Sequence, residues 1–286
     1  MFLSIRLERP LFLEGEAGVG KTSVATTLAQ VTGGELIRLQ CYEGLDASTA
    51  LYEWDYPRQL LHIRLVESTD YMVDKDEAER AKSRSSISSV DHEIFSETFL
   101  VRRPLLRALD AKAPPAPVLL IDEIDRADEE FEALLLELLS DFSVTIPELG
   151  TIRAVVRPQV IITSNRTREV HDALKRRCLY HWIDYPSAER ELAILHARRP
   201  DVGDALAREV VSFVQRLRTA DLVKPPGVAE MLDWAAALVE LGGAPLEADT
   251  IDRTMGALLK YQDDVAKLRG GTTRTLLDEA RAALPR

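Results

Sequence analysis

The sequence is short of cysteine, of aromatics, of positive charge and of long apolar runs. Two cysteines occur in 286 residues, Cys41 and Cys178, far apart and in no C-x-x-C pair. That excludes a disulfide framework and a cysteine-based zinc site, and it points to a reducing compartment. No stretch approaches the ~18 uninterrupted apolar residues of a membrane-spanning helix, so no span is expected. Residues 1–13 interleave apolar side chains with Arg6, Glu8 and Arg9. They contain no apolar core of the ~7–15 residues that mark a secretory signal, and the expected location is the cytoplasm. Lysine and arginine number 36 against 47 aspartates and glutamates, giving a net charge of −11 and a pI near 5.1. An acidic surface repels phosphate backbones, which makes a broad nucleic-acid-binding face an unfavoured expectation and leaves only a local basic patch open. The five histidines, His62, His92, His171, His181 and His196, show no i,i+4 pair and no metal spacing. Packing or surface roles are expected for them.

What is present is an ordinary globular composition, 46% hydrophobic and 29% charged, with enough length for one large domain and a smaller one. Five short apolar runs read as strands: residues 11–14, 35–39, 118–121, 159–163 and 179–183. Several are continuous rather than alternating, as expected of parallel strands covered on both faces. Helical patterns lie between them over 21–30 and 128–140, the latter with Phe131, Leu134, Leu135, Leu138 and Leu139 at helical spacing. Alternating strand and helix predicts a parallel α/β sheet with right-handed crossovers.

Two inserts interrupt the pattern. Residues 42–110 are too long for a simple connection and include 73–92, rich in Ser, Lys, Asp and Glu, which reads as a mobile loop. Residues 144–154 place Pro147, Glu148, Leu149 and Gly150 between two β-prone runs, the signature of a hairpin. After Tyr185 and Pro186 the character becomes wholly helical. Ser187 can cap a helix to about Arg198, and Leu206, Val210, Phe213, Val214 and Leu217 form an apolar stripe. Further helices fit 228–240, 248–261 and 273–284. The expected division is an α/β domain over 1–185 and a smaller helical domain over 186–286.

The run Gly15, Glu16, Ala17, Gly18, Val19, Gly20, Lys21, Thr22 matches G-x-x-x-x-G-K-[ST], after one predicted strand and before one predicted helix. Glycines let such a loop aim its N–H groups at phosphates, and the helix N-terminus adds its dipole. Lys21 would reach the β- and γ-phosphates of ATP, the Thr22 hydroxyl would ligand Mg²⁺, and Ser23 is counted with the nucleotide-binding residues. The second half is Val118, Leu119, Leu120, Ile121, Asp122, Glu123: an apolar strand ending in two carboxylates at the carboxyl edge of the sheet. Asp122 would hold the Mg²⁺ shell, and Glu123 would polarise the attacking water, which predicts turnover rather than mere switching. Taken alone, the strand end has a solvated Asp-Glu pair as its alternative, which the upstream loop motif disfavours.

The combination of G-E-A-G-V-G-K-T (15–22), L-L-I-D-E-I-D-R-A-D (119–128), I-I-T-S-N (161–165) and A-L-K-R-R-C (173–178) resembles an AAA+ ATPase. It looks like the MoxR branch, close to the CoxD-type ATPases of carbon monoxide dehydrogenase maturation. The softer features behind that branch are Glu14 and Glu16 around the loop, the two inserts, and Arg126 after Asp-Glu-Ile-Asp. The resemblance implies a P-loop AAA+ fold, a five-stranded parallel sheet with helices on both faces followed by a smaller all-helical lid. It also implies a homo-oligomeric, hexameric ring with ATP and Mg²⁺ as cofactors. Asn165 matches the family's sensor 1, beside Glu123; its plainer reading is a residue that starts a turn. Arg176 and Arg177 fall where the family places its arginine finger, with Arg177 favoured because Arg-Cys-Leu resembles Arg-Phe-Leu. The alternative is a basic helix end complementing its own dipole. A departure stands in the lid: Gly227 occupies the position of the sensor 2 arginine, with Lys224 nearby.

By the same resemblance the chain is a chaperone-like remodeller of a protein client. It would work with a von Willebrand factor A domain partner in metalloenzyme maturation, which for CoxD-type members means the molybdenum–copper site. The competing class is a nucleic-acid motor of the clamp-loader or branch-migration type, and a third is a nucleotide switch without a ring. Tyr42, Tyr52, Trp54 and Tyr56 cluster with Glu43, Asp46 and Glu53 in the first insert. They read either as a substrate-touching projection or as aromatic packing.

Overall fold

The computed structural model describes residues 1–71, 93–243, 245–269 and 271–284. The loop expected over 73–92, and His92 with it, lies outside them. The chain forms two compact units, Met1–Glu14 with Thr22–His181, and Gly15–Lys21 with Trp182–Arg286.

The first unit carries the sheet. Its strands in chain order are β1 (Leu11–Gly15), β2 (Leu36–Gln40), β3 (Tyr52–Trp54), β4 (Leu100–Arg102), β5 (Val118–Asp122), β6 (Ser143–Ile146), β7 (Gly150–Arg153), β8 (Gln159–Ser164) and β9 (Leu179–Ile183). Five of them build the expected sheet in the order β2-β5-β8-β1-β9, with β2, β5, β8 and β1 paired in parallel. β5 shows why the run was continuous. Leu119 and Ile121 point into a core shared with Leu105 and Leu109 of the helix Pro104–Leu109 and with Phe131, Leu135 and Leu138 of the helix Glu129–Asp141. Val118 and Leu120 project to the opposite face and are just as buried. A strand covered on both sides has no polar face to alternate.

The register sets polar residues side by side at one edge. Gln40 pairs with Asp122 and Glu14 with Ser164, so the carboxyl ends of β2, β5, β8 and β1 finish together. The helix Lys21–Thr32 follows β1, as the loop motif requires. Asp128 caps Glu129–Asp141 by accepting from the Phe131 N–H, and Glu129, Glu130 and Glu132 fill its first turn, where carboxylates are favoured by the helix dipole. The predicted hairpin is β6 and β7, paired Val144 with Ile152 and Ile146 with Gly150.

Structure adds elements to the first insert that spacing did not reveal. The helices Ala47–Ala50 and Tyr56–Tyr71 flank the two-stranded β3–β4 sheet, and an unexpected short helix, Phe2–Leu7, precedes β1. The aromatic cluster divides here. Trp54 is buried edge-on to Tyr52 and Phe95, while Tyr42 and Tyr56 are exposed.

From Ala188 on, the second unit is built of helices: Ala188–Arg198, Asp204–Leu217, Val228–Glu240, Ala248–Leu258, Gln262–Leu268 and Gly271–Ala282. The stripe Leu206, Val210, Phe213, Val214 and Leu217 is buried, with the Phe213 and Trp234 rings 5.5 Å apart. Ser187 accepts from the Arg190 N–H as the N-cap. The single helix expected over 248–261 is two. Leu259 and Tyr261 are extended, and Asp264 of the second helix accepts from the Val223 and Lys224 N–H groups, which fixes a new helix start. Among the described residues no helix is long and apolar enough to cross a membrane.

Candidate active site

The loop between β1 and the helix Lys21–Thr32 turns on residues a side chain would hinder; Gly20 has φ +96°. Lys21 is only 6% exposed, and its Nζ donates to the Gly15 and Glu16 carbonyls at 2.7 Å each. An ammonium is thus buried inside a loop at a helix N-terminus, a place that favours anions. In the same unit the helix Val228–Glu240 begins against this loop. The Val228 N–H donates to the Gly18 carbonyl at 3.2 Å, and Glu230 Oε2 accepts from the Gly227 N–H at 3.0 Å.

That contact explains the missing arginine. A Cβ on Gly227 would stand 2.8 Å from the Ala17 carbonyl oxygen and 2.9 Å from Gly18 Cα, both backbone atoms that cannot swing away. Glycine is required because two main chains meet. Lys224 is exposed, its N–H given to Asp264. Gly227→Arg should therefore not restore a sensor. Overpacking of this kind costs about 1–3 kcal/mol, and denaturant unfolding that left the variant as stable as the parent would contradict the close approach.

In the first unit, Asp122 is 3% exposed and meets three donors. Thr163 Oγ1 lies at 2.6 Å, Arg38 Nη2 at 2.6 Å and Thr22 Oγ1 at 3.1 Å. Glu123 follows in the left-handed region at φ 57°, a conformation costly for a residue with a side chain and typical of functional sites. Its own N–H donates to Thr163 Oγ1 at 2.9 Å, so one threonine sets the directions of both carboxylates. Glu123 Oε1 accepts from Asn165 Nδ2 at 3.1 Å, Oε2 accepts from Gln40 Nε2 at 3.0 Å, and Arg126 Nε forms an ion pair with Oε2 at 2.9 Å.

The end of β8 is braced from below. Asp125 accepts from the Asn165 N–H and from the Thr167 N–H and hydroxyl. Burial would push the Asp125 carboxyl up, but the hydrogen bonds from Thr167 and Asn165 outweigh it and hold the group below its usual value. Cys41, behind this cluster, has its thiol pushed up to about 12, by burial first and then by the charges of Asp122, Asp125 and Glu123. It is an inert core thiol.

The two candidate finger arginines differ. Arg177 is turned back on its own chain, with Nε donating to Ser140 Oγ at 3.0 Å and Nη1 to the Ala173 carbonyl at 3.2 Å. Arg176 projects, its side chain 82% exposed beside an equally exposed Asp172 at 3.8 Å. No group of histidine, cysteine and carboxylate side chains suited to a metal forms among the described residues.

Sequence reading had placed Asp122, Glu123 and Asn165, which the structure brings together, but it missed Arg38, Gln40, Thr163 and Asp125. Arg38 and Gln40 are i and i+2 on one strand, so they share a face. The signal was the polar alternation at the end of an otherwise apolar β2.

The model of the AAA domain (dynein-related subfamily) matches residues 10–178. No curated protein matches the sequence. Among solved structures, a point mutant of RuvB from Thermotoga maritima aligns over 92% of this chain and 70% of its own, with 17% identity and a TM-score of 0.48. The Thermotoga maritima RuvB Holliday junction branch migration motor aligns over 89% and 64%, with 15% identity and a TM-score of 0.45. With more than half of its length matched by the family model, and the loop and acidic strand end both inside that span, the chain belongs to the AAA domain family, the ATP-hydrolysing AAA+ motors that use ATP and Mg²⁺.

Proposed function

We propose that this motor works as a hexameric ring that remodels a protein client, with each site completed by an arginine of the neighbouring subunit. The residues fit the metal the family uses. The Thr22 hydroxyl and the Asp122 carboxylate converge at 3.1 Å, hard oxygen donors of the kind Mg²⁺ takes. Bound there, Mg²⁺ supplies neutralisation of charge on the β- and γ-phosphates. Lys21, with the N–H groups of 15–23, holds the triphosphate, and the lid start at Gly227 and Val228 keeps the loop in shape. Glu123 takes the proton of the attacking water, and Asn165, already on Glu123 Oε1, orients that water. Gln40 and Arg126 fix the other carboxylate oxygen. We place the finger at Arg176 rather than Arg177, because Arg177 is spent on Ser140 and Ala173 while Arg176 is presented outward.

For the client, the proposal follows the MoxR and CoxD resemblance: maturation or cofactor insertion of a metalloenzyme with a von Willebrand factor A domain partner. The observation that carries protein over nucleic acid is the net charge of −11. Affinity capture with the ATP-trapping variant Glu123→Gln should bring down such a partner. A DNA titration is the opposing arm. Tight, salt-sensitive binding or DNA-stimulated turnover would replace the remodeller with a nucleic-acid motor.

A further inference from the structure

The helix that presents Arg176 is Asp172–Arg177, six residues long, and a helix that short does not hold itself together. Its last carbonyls have no partner within the helix, and the arginine at issue stands in that final turn. Something else must fix it.

Its N-terminal end is fixed by burial and charge. Leu174 is fully buried, and the His171 N–H donates to Glu132 Oε2 at 2.7 Å. Glu132, itself buried, is paired with Arg168. The C-terminal end is fixed by a residue far away in sequence. Arg9 Nη2 donates to the Arg176 carbonyl at 2.7 Å and to the Cys178 carbonyl at 3.4 Å, and its Nε to the Arg177 carbonyl at 3.3 Å. One guanidinium fork thus spans three consecutive carbonyls at the negative end of the helix dipole. Arg9 is held in turn. Ser4 Oγ donates to its carbonyl at 2.7 Å, Glu8 beside it pairs with Arg157 at 2.9 Å, and the Leu179 N–H donates to the Pro10 carbonyl at 2.7 Å.

We propose that Arg9 is a positioning residue for trans hydrolysis: by clamping the carbonyls of Arg176, Arg177 and Cys178 it sets where the Arg176 guanidinium is delivered to the neighbouring subunit. This rests on the ring and finger reading above. A finger acts only when its charge arrives where the transition state needs it, and a displacement of about 1 Å can cost ~10²-fold in rate. The bound nucleotide in the same subunit does not feel the loss, because Arg9 touches no part of the loop or of the acidic strand end.

The test uses the full chain. Arg9→Gln should keep its affinity for a fluorescent ATP analogue and lower kcat about 10- to 100-fold; Arg9→Lys, which keeps the charge but not the fork, should fall between. Mixing then separates positioning from damage. An Arg9→Gln subunit has a sound site and a misplaced finger, whereas a Glu123→Gln subunit has a dead site and a sound finger. Equal mixtures should hydrolyse ATP at well above the sum of the two alone, and Arg176→Ala mixed with Glu123→Gln should behave the same way. Rescue of Arg176→Ala but not of Arg9→Gln would overturn the role of Arg9 and leave the ring standing. Rescue of neither would overturn the trans finger itself. Unchanged kcat in Arg9→Gln, with Arg176→Ala inactive, would also reject the clamp.

Discussion

Arg176→Ala should lower ATP turnover by about 10³-fold or more, while Arg177→Ala should change it little. The size follows from what a finger does: it neutralises charge that develops on the transferred phosphoryl group inside a water-poor site, where no solvent can substitute. The contrast between neighbours follows from geometry. Arg177 is committed to Ser140 and to the Ala173 carbonyl, contacts that tie two helices of one subunit together and lie at the surface. Losing them is an ordinary surface change, within about 0.5 kcal/mol of stability. The Arg176 guanidinium, whose backbone Arg9 holds, is paired among the described residues with Asp172 across 3.8 Å at the surface, a contact worth about 0–1 kcal/mol and readily exchanged for a phosphate. Steady-state phosphate release at saturating ATP, with affinity measured separately, distinguishes the two. A fall of 10³-fold in Arg177→Ala with Arg176→Ala unaffected would exchange the roles. Similar small effects in both would return the pair to a basic helix end.

The residues that announced themselves in the sequence are those whose chemistry needs neighbours along the chain. The loop 15–22 is legible because one loop's glycines and its lysine must act on one triphosphate. Val118 to Glu123 is legible because a doubly covered strand must end where its carboxylates meet the ligand. The partners of those carboxylates were not legible. Gln40 and Asp122 are side by side only because β2 lies next to β5, and no local pattern states strand order. Thr163, which orients both Asp122 and Glu123, reads in isolation as one more residue of an apolar strand. Gly227 was visible as a departure but not as a cause. Its reason is the main chain of a loop some two hundred positions earlier. The break between Leu258 and Gln262 was hidden because apolar spacing continues across it, and only Asp264 reaching Val223 and Lys224 shows why the axis turns.

Glu123→Gln and Lys21→Ala should fail in opposite ways, and the difference tests how the site divides its work. Glutamine keeps the shape of Glu123 and can hold its one oxygen toward Gln40 and Arg126, with its NH2 facing an Asn165 amide that must turn to accept, but it cannot take a proton from water. Turnover should fall by about 10²–10⁴-fold with ATP affinity kept. Any change in affinity should be a rise, since one negative charge leaves the neighbourhood of the γ-phosphate. Lys21→Ala removes a buried ammonium from the centre of the loop. Truncating one partner of a buried charge pair costs about 2–5 kcal/mol, which weakens binding by roughly 10²-fold or more at the middle of that range. It also leaves the Gly15 and Glu16 carbonyls without the donor that now gathers them, so the loop loses its shape as well as its charge. Titration calorimetry with Mg²⁺ and ATP, run beside phosphate release, reads both quantities. If the two variants lost affinity equally, the Glu123 carboxylate would be holding nucleotide rather than activating water. The left-handed turn that aims it would then need another explanation.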